Sequence, residues 1–110
     1  MRRFFRETAE NGAIDAELEP GIAAQIEELF LHLDQAGGAD NLTVTRVSGA
    51  ADDVYDTIIL TEDMSAVTDL HWQPDRPINL AKGDSLKVEW DNSSDRTYGL
   101  EIVWSAAAGG

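Results

Sequence analysis

The sequence predicts an all-β protein, an antiparallel β-sandwich that is jelly-roll-like and has about eight strands. Apolar and polar residues alternate along several short segments, and turn-forming residues separate these segments at regular intervals. The chain has 110 residues, of which 43% are hydrophobic and 26% charged, enough to fold as one compact domain. We expect a single domain over residues 1–105 and a flexible tail over residues 106–110.

The first predicted strands lie near the N-terminus. Apolar and acidic residues alternate strictly over residues 14–18, and Pro20 ends the pattern. Asn11–Gly12 is a sequence typical of two-residue hairpin turns. We therefore expect residues 2–8 to form a strand that pairs with residues 14–18.

Residues 21–35 fit two periodicities. Apolar residues at helical spacing and good helix formers favour a helix, which Gly37 would end. Leu29, Leu31 and Leu33 alternate as in a strand, and a strand here would give residues 42–48 a partner. We predict a strand over residues 26–34.

The remaining strands follow from β-rich segments between turns. Residues 42–47 lie between glycines, and residues 57–60 form a β-rich run without alternation, typical of a strand that is buried on both faces or twists between sheets. Residues 86–90 and 98–104 both alternate around the turn-forming residues 92–95. This arrangement predicts a β-hairpin.

The net charge limits the classes of partner. The chain has 21 acidic and 8 basic residues and a formal charge of −13, which argues against nucleic acids and anionic membranes as ligands. Cysteine is absent, and no segment is apolar enough to cross a membrane or act as a signal peptide. We expect a protein kept in the cytoplasm where it is made, unless it leaves inside a larger assembly.

The sequence predicts no catalytic or cofactor-binding residue. His32 and His71 lie within apolar strands, where alternation places them on the polar face. No serine lies in a nucleophile elbow, and no glycine-rich phosphate loop occurs. We therefore predict that the protein is not an enzyme.

Two acidic clusters raise the alternative of calcium loops. They consist of Asp52, Asp53 and Asp56, and of Asp91, Asn92 and Asp95. Neither matches the EF-hand loop, and clusters of this kind arise by density alone in so acidic a chain. We predict solvated loops without a metal.

The candidate partner interface is the N-terminal segment Arg2, Arg3, Phe4, Phe5 and Arg6. It is either a first strand with basic residues on its exposed side or a docking arm for an acidic partner, since arginine and aromatic residues are enriched in interface centres.

Aromatic residues nearer the C-terminus suggest a second kind of contact. Trp90 and Trp104 share their faces with aliphatic residues and are predicted to be core residues. Trp72 and Tyr98 are the candidates for contact with a glycan.

Several segments carry a resemblance to a known group of proteins. These are Asp69 to Asp84, Leu86 to Trp90 and Arg96 to Trp104, together with Leu31 to Gly38 and Leu42 to Val44. In these segments the chain resembles small virion proteins of tailed bacteriophages, over roughly residues 26–105.

The resemblance implies a structural role. It points to a capsid decoration or cement protein that stabilises the head, or to a tail or connector accessory subunit. It implies a homo-oligomer, preferably a trimer, that packs on the major capsid protein or other virion subunits. Such a protein would be assembled in the host bacterial cytoplasm and found in the virion. The alternative is a glycan-binding β-sandwich module that aids host attachment.

Overall fold

The computed structural model describes residues 2–49 and 55–107, and it confirms the predicted β-sandwich. Two antiparallel sheets contain nine strands among these residues. They are β1 (Arg2–Ala9), β2 (Ile14–Leu18), β3 (Ala24–Leu33), β4 (Asn41–Val47), β5 (Thr57–Asp63), β6 (Asp69–Trp72), β7 (Ile78–Leu80), β8 (Ser85–Trp90) and β9 (Tyr98–Ala106).

The strands pair in a nested order. Sheet A has the order β1-β9-β3-β6, with β7 also paired to β3, and sheet B has the order β2-β8-β4-β5. The first strand therefore pairs with the last, β2 with β8, β3 with β6 and β7, and β4 with β5. A chain folded back on itself in this way and wound across two sheets is a jelly roll.

The core lies between the two sheets and is formed by alternate residues of each strand. In β2, for example, Ile14, Ala16 and Leu18 are buried while Asp15 and Glu17 are exposed. Each buried leucine or isoleucine contributes about 1.5–3 kcal/mol. Trp90 and Trp104 are buried, as the alternation predicts.

The central strand of sheet A is β3, so the strand predicted over residues 26–34 is confirmed. It pairs with β9 along most of its length, with an irregular register between Ile26 and Glu28. The prediction that it pairs with residues 42–48 is wrong, because β4 lies in the other sheet between β5 and β8. A helix cannot form the ladder of backbone hydrogen bonds that joins β3 to β9. The pairing with β9 therefore outweighs the helix propensity of the residues in β3.

Both predicted hairpins are wrong. Residues 10–13 carry the chain from sheet A to sheet B, and residues 91–97 carry it back. Each connection crosses the sandwich because each flanking strand has its own apolar face to bury. The Asn92 side chain links the two crossings: its amide donates to the Gly12 carbonyl (2.7 Å) and the Arg96 carbonyl (3.0 Å).

Strand β5 lies at the edge of sheet B, so the prediction of a strand buried on both faces or twisting between sheets is wrong. Ile58 is 60% exposed, and the pairing with β4 is irregular at Val44 and Thr45. A β-branched run reports strand propensity but not position in the sheet.

The C-terminal strand enters the segment predicted as a tail. Strand β9 includes Ala106, and the backbone N–H of Ala107 donates to the Ala23 carbonyl at 3.0 Å. The rest of that segment, residues 108–110, lies outside the described residues, as do Asp52 and Asp53.

Candidate functional site

The outward side of sheet A carries a cluster of arginine and aromatic residues around one buried aliphatic side chain. We call it the outer patch. It consists of Arg2, Phe4 and Arg6 on β1, Val103 on β9, Phe30 on β3 and His71 on β6.

Strand β1 divides the predicted interface segment between two surfaces. Arg2, Phe4 and Arg6 point outward, because neighbouring residues of a strand point to opposite faces. Phe5 packs against the core, and the guanidinium carbon of Arg3 lies 5.1 Å from the centre of the Trp104 ring. The five residues predicted as one docking surface therefore do not share a face.

A row of side chains crosses all four main strands of sheet A. Arg6 lies opposite Glu101, Glu101 opposite Phe30, and Phe30 opposite His71. The Arg6 guanidinium donates to Glu101 at 3.3 Å, and its carbon lies 5.2 Å from the centre of the Phe4 ring. The Phe30 and His71 rings stack with their centres 4.4 Å apart and 4° between their planes. Contacts of this kind fix the orientation of the large side chains.

The centre of the outer patch excludes water. Val103 faces outward but is only 3% exposed, and its neighbours across the strands are Phe4 and Glu28. Phe4 is 55% exposed and Phe30 36%. The patch thus has an apolar centre and a charged rim, the arrangement found in protein–protein interfaces.

Two acidic residues of β3 lie close to basic side chains of the outer patch. Arg2 lies 3.9 Å from Glu27, and His71 lies 3.6 Å from Glu28. The second carboxylate oxygen of Glu27 is buried, and the described residues give it no hydrogen-bond partner. Exposed ion pairs contribute only about 0–1 kcal/mol each, so these pairs hold side chains in place more than they stabilise the fold.

Both histidines lie on the exposed face of sheet A, as predicted. His32 Nδ1 is 2.5 Å from Asp69 Oδ1, and the two residues are cross-strand neighbours. A histidine held by a carboxylate resembles part of a nucleophilic triad, yet the described residues give His32 no hydrogen-bonded hydroxyl to activate. This pair is a hydrogen bond between two exposed side chains.

The two candidate glycan contacts do not form an exposed platform. Tyr98 is 5% exposed, and its hydroxyl donates to Glu7 at 3.1 Å. Burial and the adjacent Glu7 carboxylate raise the pKa of Tyr98 to about 12. Trp72 is half-buried and packs against the core from the edge of sheet A. This placement does not support the predicted glycan contact at Tyr98, because its ring is covered.

The prediction that the second acidic cluster is a solvated loop is wrong at Asn92, which is buried, and Asp84, an acid outside both clusters, also has a structural role. Asn92 is 1% exposed and holds the crossing described above, and Asp84 accepts hydrogen bonds from the backbone N–H groups of Gly49 (2.9 Å) and Ala81 (3.0 Å). The Gly49 N–H lowers the pKa of Asp84 against the effect of burial, with help from Ala81 and Arg46. Within residues 2–49 and 55–107, no group of three metal-binding side chains is assembled.

A groove opens between β5 and β7, on the side of the sandwich away from β1 and β2. It has a volume of about 350 Å³ and is lined by Arg46, Ile59, Pro77, Ile78 and Asn79. The Arg46 guanidinium already donates to the Asn79 carbonyl (3.0 Å) and lies 3.7 Å from Asp84. The cation closest to this groove therefore has its partners within the fold.

Sequence reasoning missed Phe30, His71 and Val103 as members of one surface. Their alternation is visible in the sequence, but their proximity depends on which strands are neighbours. The irregular register of β3 at Glu27 also shifts which residues share a face. No helix among the described residues is long and apolar enough to cross a membrane.

The sequence matches no protein-family model and no curated protein. Similarity appears at the level of structure. The crystal structure of the Yersinia pseudotuberculosis-derived mitogen superposes with a TM-score of 0.51 at 14% identity, covering 97% of this chain and 86% of the mitogen. At this identity the likeness shows the sandwich fold alone.

Two further structures superpose less well. A chain of infectious bursal disease virus, Gx strain, gives a TM-score of 0.46 at 14% identity, over 99% of this chain and 33% of the viral one. A chain from Bacillus endospore appendages gives a TM-score of 0.42 at 12% identity, over 97% of this chain and 87% of that one.

Proposed function

We propose that this chain is a structural subunit of a tailed-bacteriophage virion, a capsid decoration or cement protein that binds the major capsid protein or a neighbouring virion subunit. It would be assembled in the bacterial cytoplasm and carried on the particle. The proposal also holds that the chain catalyses no reaction and binds neither nucleic acid nor membrane.

The outer patch carries this proposal. It presents arginine and aromatic side chains around Val103, which is shielded from water. Arginine and aromatic residues around a water-excluded centre contribute most of the binding energy in protein–protein interfaces. The chain as a whole is strongly acidic, with a net charge of −13, whereas this patch presents the exposed Arg2 and Arg6 side chains. A partner with an apolar and partly acidic surface therefore fits this patch.

The test replaces the two exposed rings of the patch. F4T/F30T replaces both rings with threonine, which has high β-propensity, and leaves the core untouched, so we expect an unchanged fold by circular dichroism. Particles of the phage that encodes the chain are purified, and the copy number of the chain is measured by mass spectrometry. We expect a fixed copy number for the wild type and loss of at least about tenfold for the variant, corresponding to about 1.4 kcal/mol of binding.

The matched control is T43A/T61A on the outward side of sheet B, where the two residues are cross-strand neighbours. It should remain on the particles at the wild-type copy number. Absence of the wild-type chain from purified particles, or equal occupancy by F4T/F30T, would contradict the proposed role.

A further inference from the structure

Among the strands of residues 2–49 and 55–107, two unpaired edges lie on the same side of the sandwich. Strand β1 ends sheet A, strand β2 ends sheet B, and only residues 10–13 connect them. The groove between β5 and β7 places the other two edges together on the opposite side. An unpaired edge exposes backbone N–H and C=O groups that can pair with another strand.

These two neighbouring edges have opposite charge. Strand β1 contains Arg2, Arg3 and Arg6, three of the 8 basic residues in the chain. Strand β2 contains Asp15 and Glu17, and Glu19 follows it directly. The side chains of Arg2 and Arg6 are 65% and 69% exposed, so both can reach past the sheet edge.

Two kinds of two-fold dimer can join this side of the sandwich to itself. An axis perpendicular to the sheets brings β1 against β1 and β2 against β2, which places like charges together. An axis parallel to the strands brings β1 of each copy against β2 of the other. Because the chain reverses at residues 10–13, both new pairings in the second dimer are antiparallel.

The spacing of charges selects a register for the second dimer. When Arg6 lies opposite the partner's Asp15, antiparallel pairing puts Arg2 opposite the partner's Glu19. The same register puts Phe5, on the core side of β1, opposite the partner's Ala16, which is a small residue. Both charge pairs and a large–small apolar pair therefore agree in a single register.

We propose that two copies of this chain form a closed dimer in which β1 of each copy extends the partner's sheet B beside β2. In a closed two-fold dimer, the β1 and β2 edges of both copies are paired, so no strand edge on this side is left to bind a third copy. It differs from the trimer that the resemblance implies. It does not rest on the virion role, because it is measured as a molecular mass and not as binding to particles.

The test reverses the charge of one edge at a time. D15K/E19K makes β2 basic, and R2E/R6E makes β1 acidic. Sedimentation equilibrium should give twice 12.0 kDa for the wild type and a dimer dissociation constant at least about 100-fold higher for each variant, because opposed like charges cost several kcal/mol. The control E62K/D75K makes the same change of charge on the opposite side and should leave the dimer intact.

Mixing the two variants provides the decisive measurement. At positions 2, 6, 15 and 19 the R2E/R6E variant is acidic and the D15K/E19K variant is basic, so their charges are complementary at both pairings. An equimolar mixture should therefore form the heterodimer that neither variant forms with itself. A monomeric or trimeric wild type, variants that dimerise as the wild type does, or a mixture that stays monomeric would each overturn the proposal.

Cysteine substitution tests the register without reversing charge. The chain contains no cysteine, so R6C/D15C has only the introduced thiols. Within one copy these positions lie on the outward sides of different sheets, so oxidation should give a disulfide-linked dimer. R6C/E62C should remain uncrosslinked; equal crosslinking of both variants would contradict the register.

Discussion

At the scale of single residues, the Asn92 side chain joins the two crossings of the sandwich. It is buried, adopts a left-handed φ of 49°, and bonds both crossings of the sandwich. Asparagine tolerates this backbone conformation better than most residues. A polar residue in a loop would ordinarily be assigned to solvent, so the sequence gives no sign of this role.

We expect Asn92→Ala to lower the free energy of unfolding by roughly 3 kcal/mol, because three hydrogen bonds between the buried Asn92 side chain and the backbone of Gly12 and Arg96 are lost. Urea denaturation followed by tryptophan fluorescence measures the change. Asn79→Ala, which removes an exposed hydrogen bond to Gln25, should cost less than about 1 kcal/mol. Equal effects of the two substitutions would contradict the role assigned to Asn92.

Asp84 makes the stability depend on pH. Its pKa is lowered from 3.8, chiefly by the hydrogen bond from Gly49, so the ionised form is favoured in the folded protein. The resulting stabilisation is present above pH 3.8 and is lost as the pH falls through the lower, folded-state value.

Asp84→Asn should therefore be less stable than the wild type at pH 7, and the difference should shrink toward pH 2. Urea denaturation at several pH values measures it, with Asp75→Asn, an exposed loop residue, as the control. A difference between wild type and Asp84→Asn that stays constant with pH would show that the carboxylate charge does not contribute.

At the scale of elements, the loop after β4 packs directly against the turn before β8. A methyl group on Gly49 would lie 2.3 Å from the Gly83 carbonyl oxygen, and neither backbone can move without disturbing the hydrogen bond from Gly49 to Asp84. We expect Gly49→Ala to lower the thermal midpoint, at a cost of about 1–3 kcal/mol or more. Gly99→Ala in β9 meets nothing within 4 Å and should leave the midpoint unchanged or raised.

Strand β1 is an integral part of sheet A. It pairs with β9 from Arg2 to Ala9, and Phe5 packs on the core. Deleting residues 1–6 should therefore destabilise the monomer by several kcal/mol, since it exposes core and a new sheet edge. Thermal unfolding by circular dichroism measures this, with Phe4→Thr as a control that should cost less than about 1 kcal/mol. A deletion variant as stable as the full chain would show that the segment is a separate arm.

Strand positions follow from local alternation, but strand partners do not. Residues 14–18, 42–47 and 86–90 all have patterns set by one buried face, and each forms the predicted strand. The partners depend on where the turns send the chain, and Asn11–Gly12 illustrates the difficulty: Gly12 has φ 90° as turn glycines do, yet it crosses between sheets.

At the scale of the whole molecule, the nested pairing explains why the site was predicted only in part. The basic segment at residues 2–6 identified β1 as a candidate interface, whereas Phe30, His71 and Val103 join it through β3, β6 and β9. Pairings this distant in sequence are not encoded by any local pattern. The acidic charge and the paucity of candidate catalytic residues, in contrast, are properties of composition and can be read directly.

The pairing of the first strand with the last also makes the fold suitable for engineering. Arg2 and Ser105 are cross-strand partners, so their α-carbons lie about 4.5–5.5 Å apart at one end of sheet A. A short glycine-rich linker would join them, and new termini could be opened in an exposed turn such as residues 74–76. Peptides attached next to Arg2 and Ser105 would start side by side, which suits the scaffold to the paired display of two ligands.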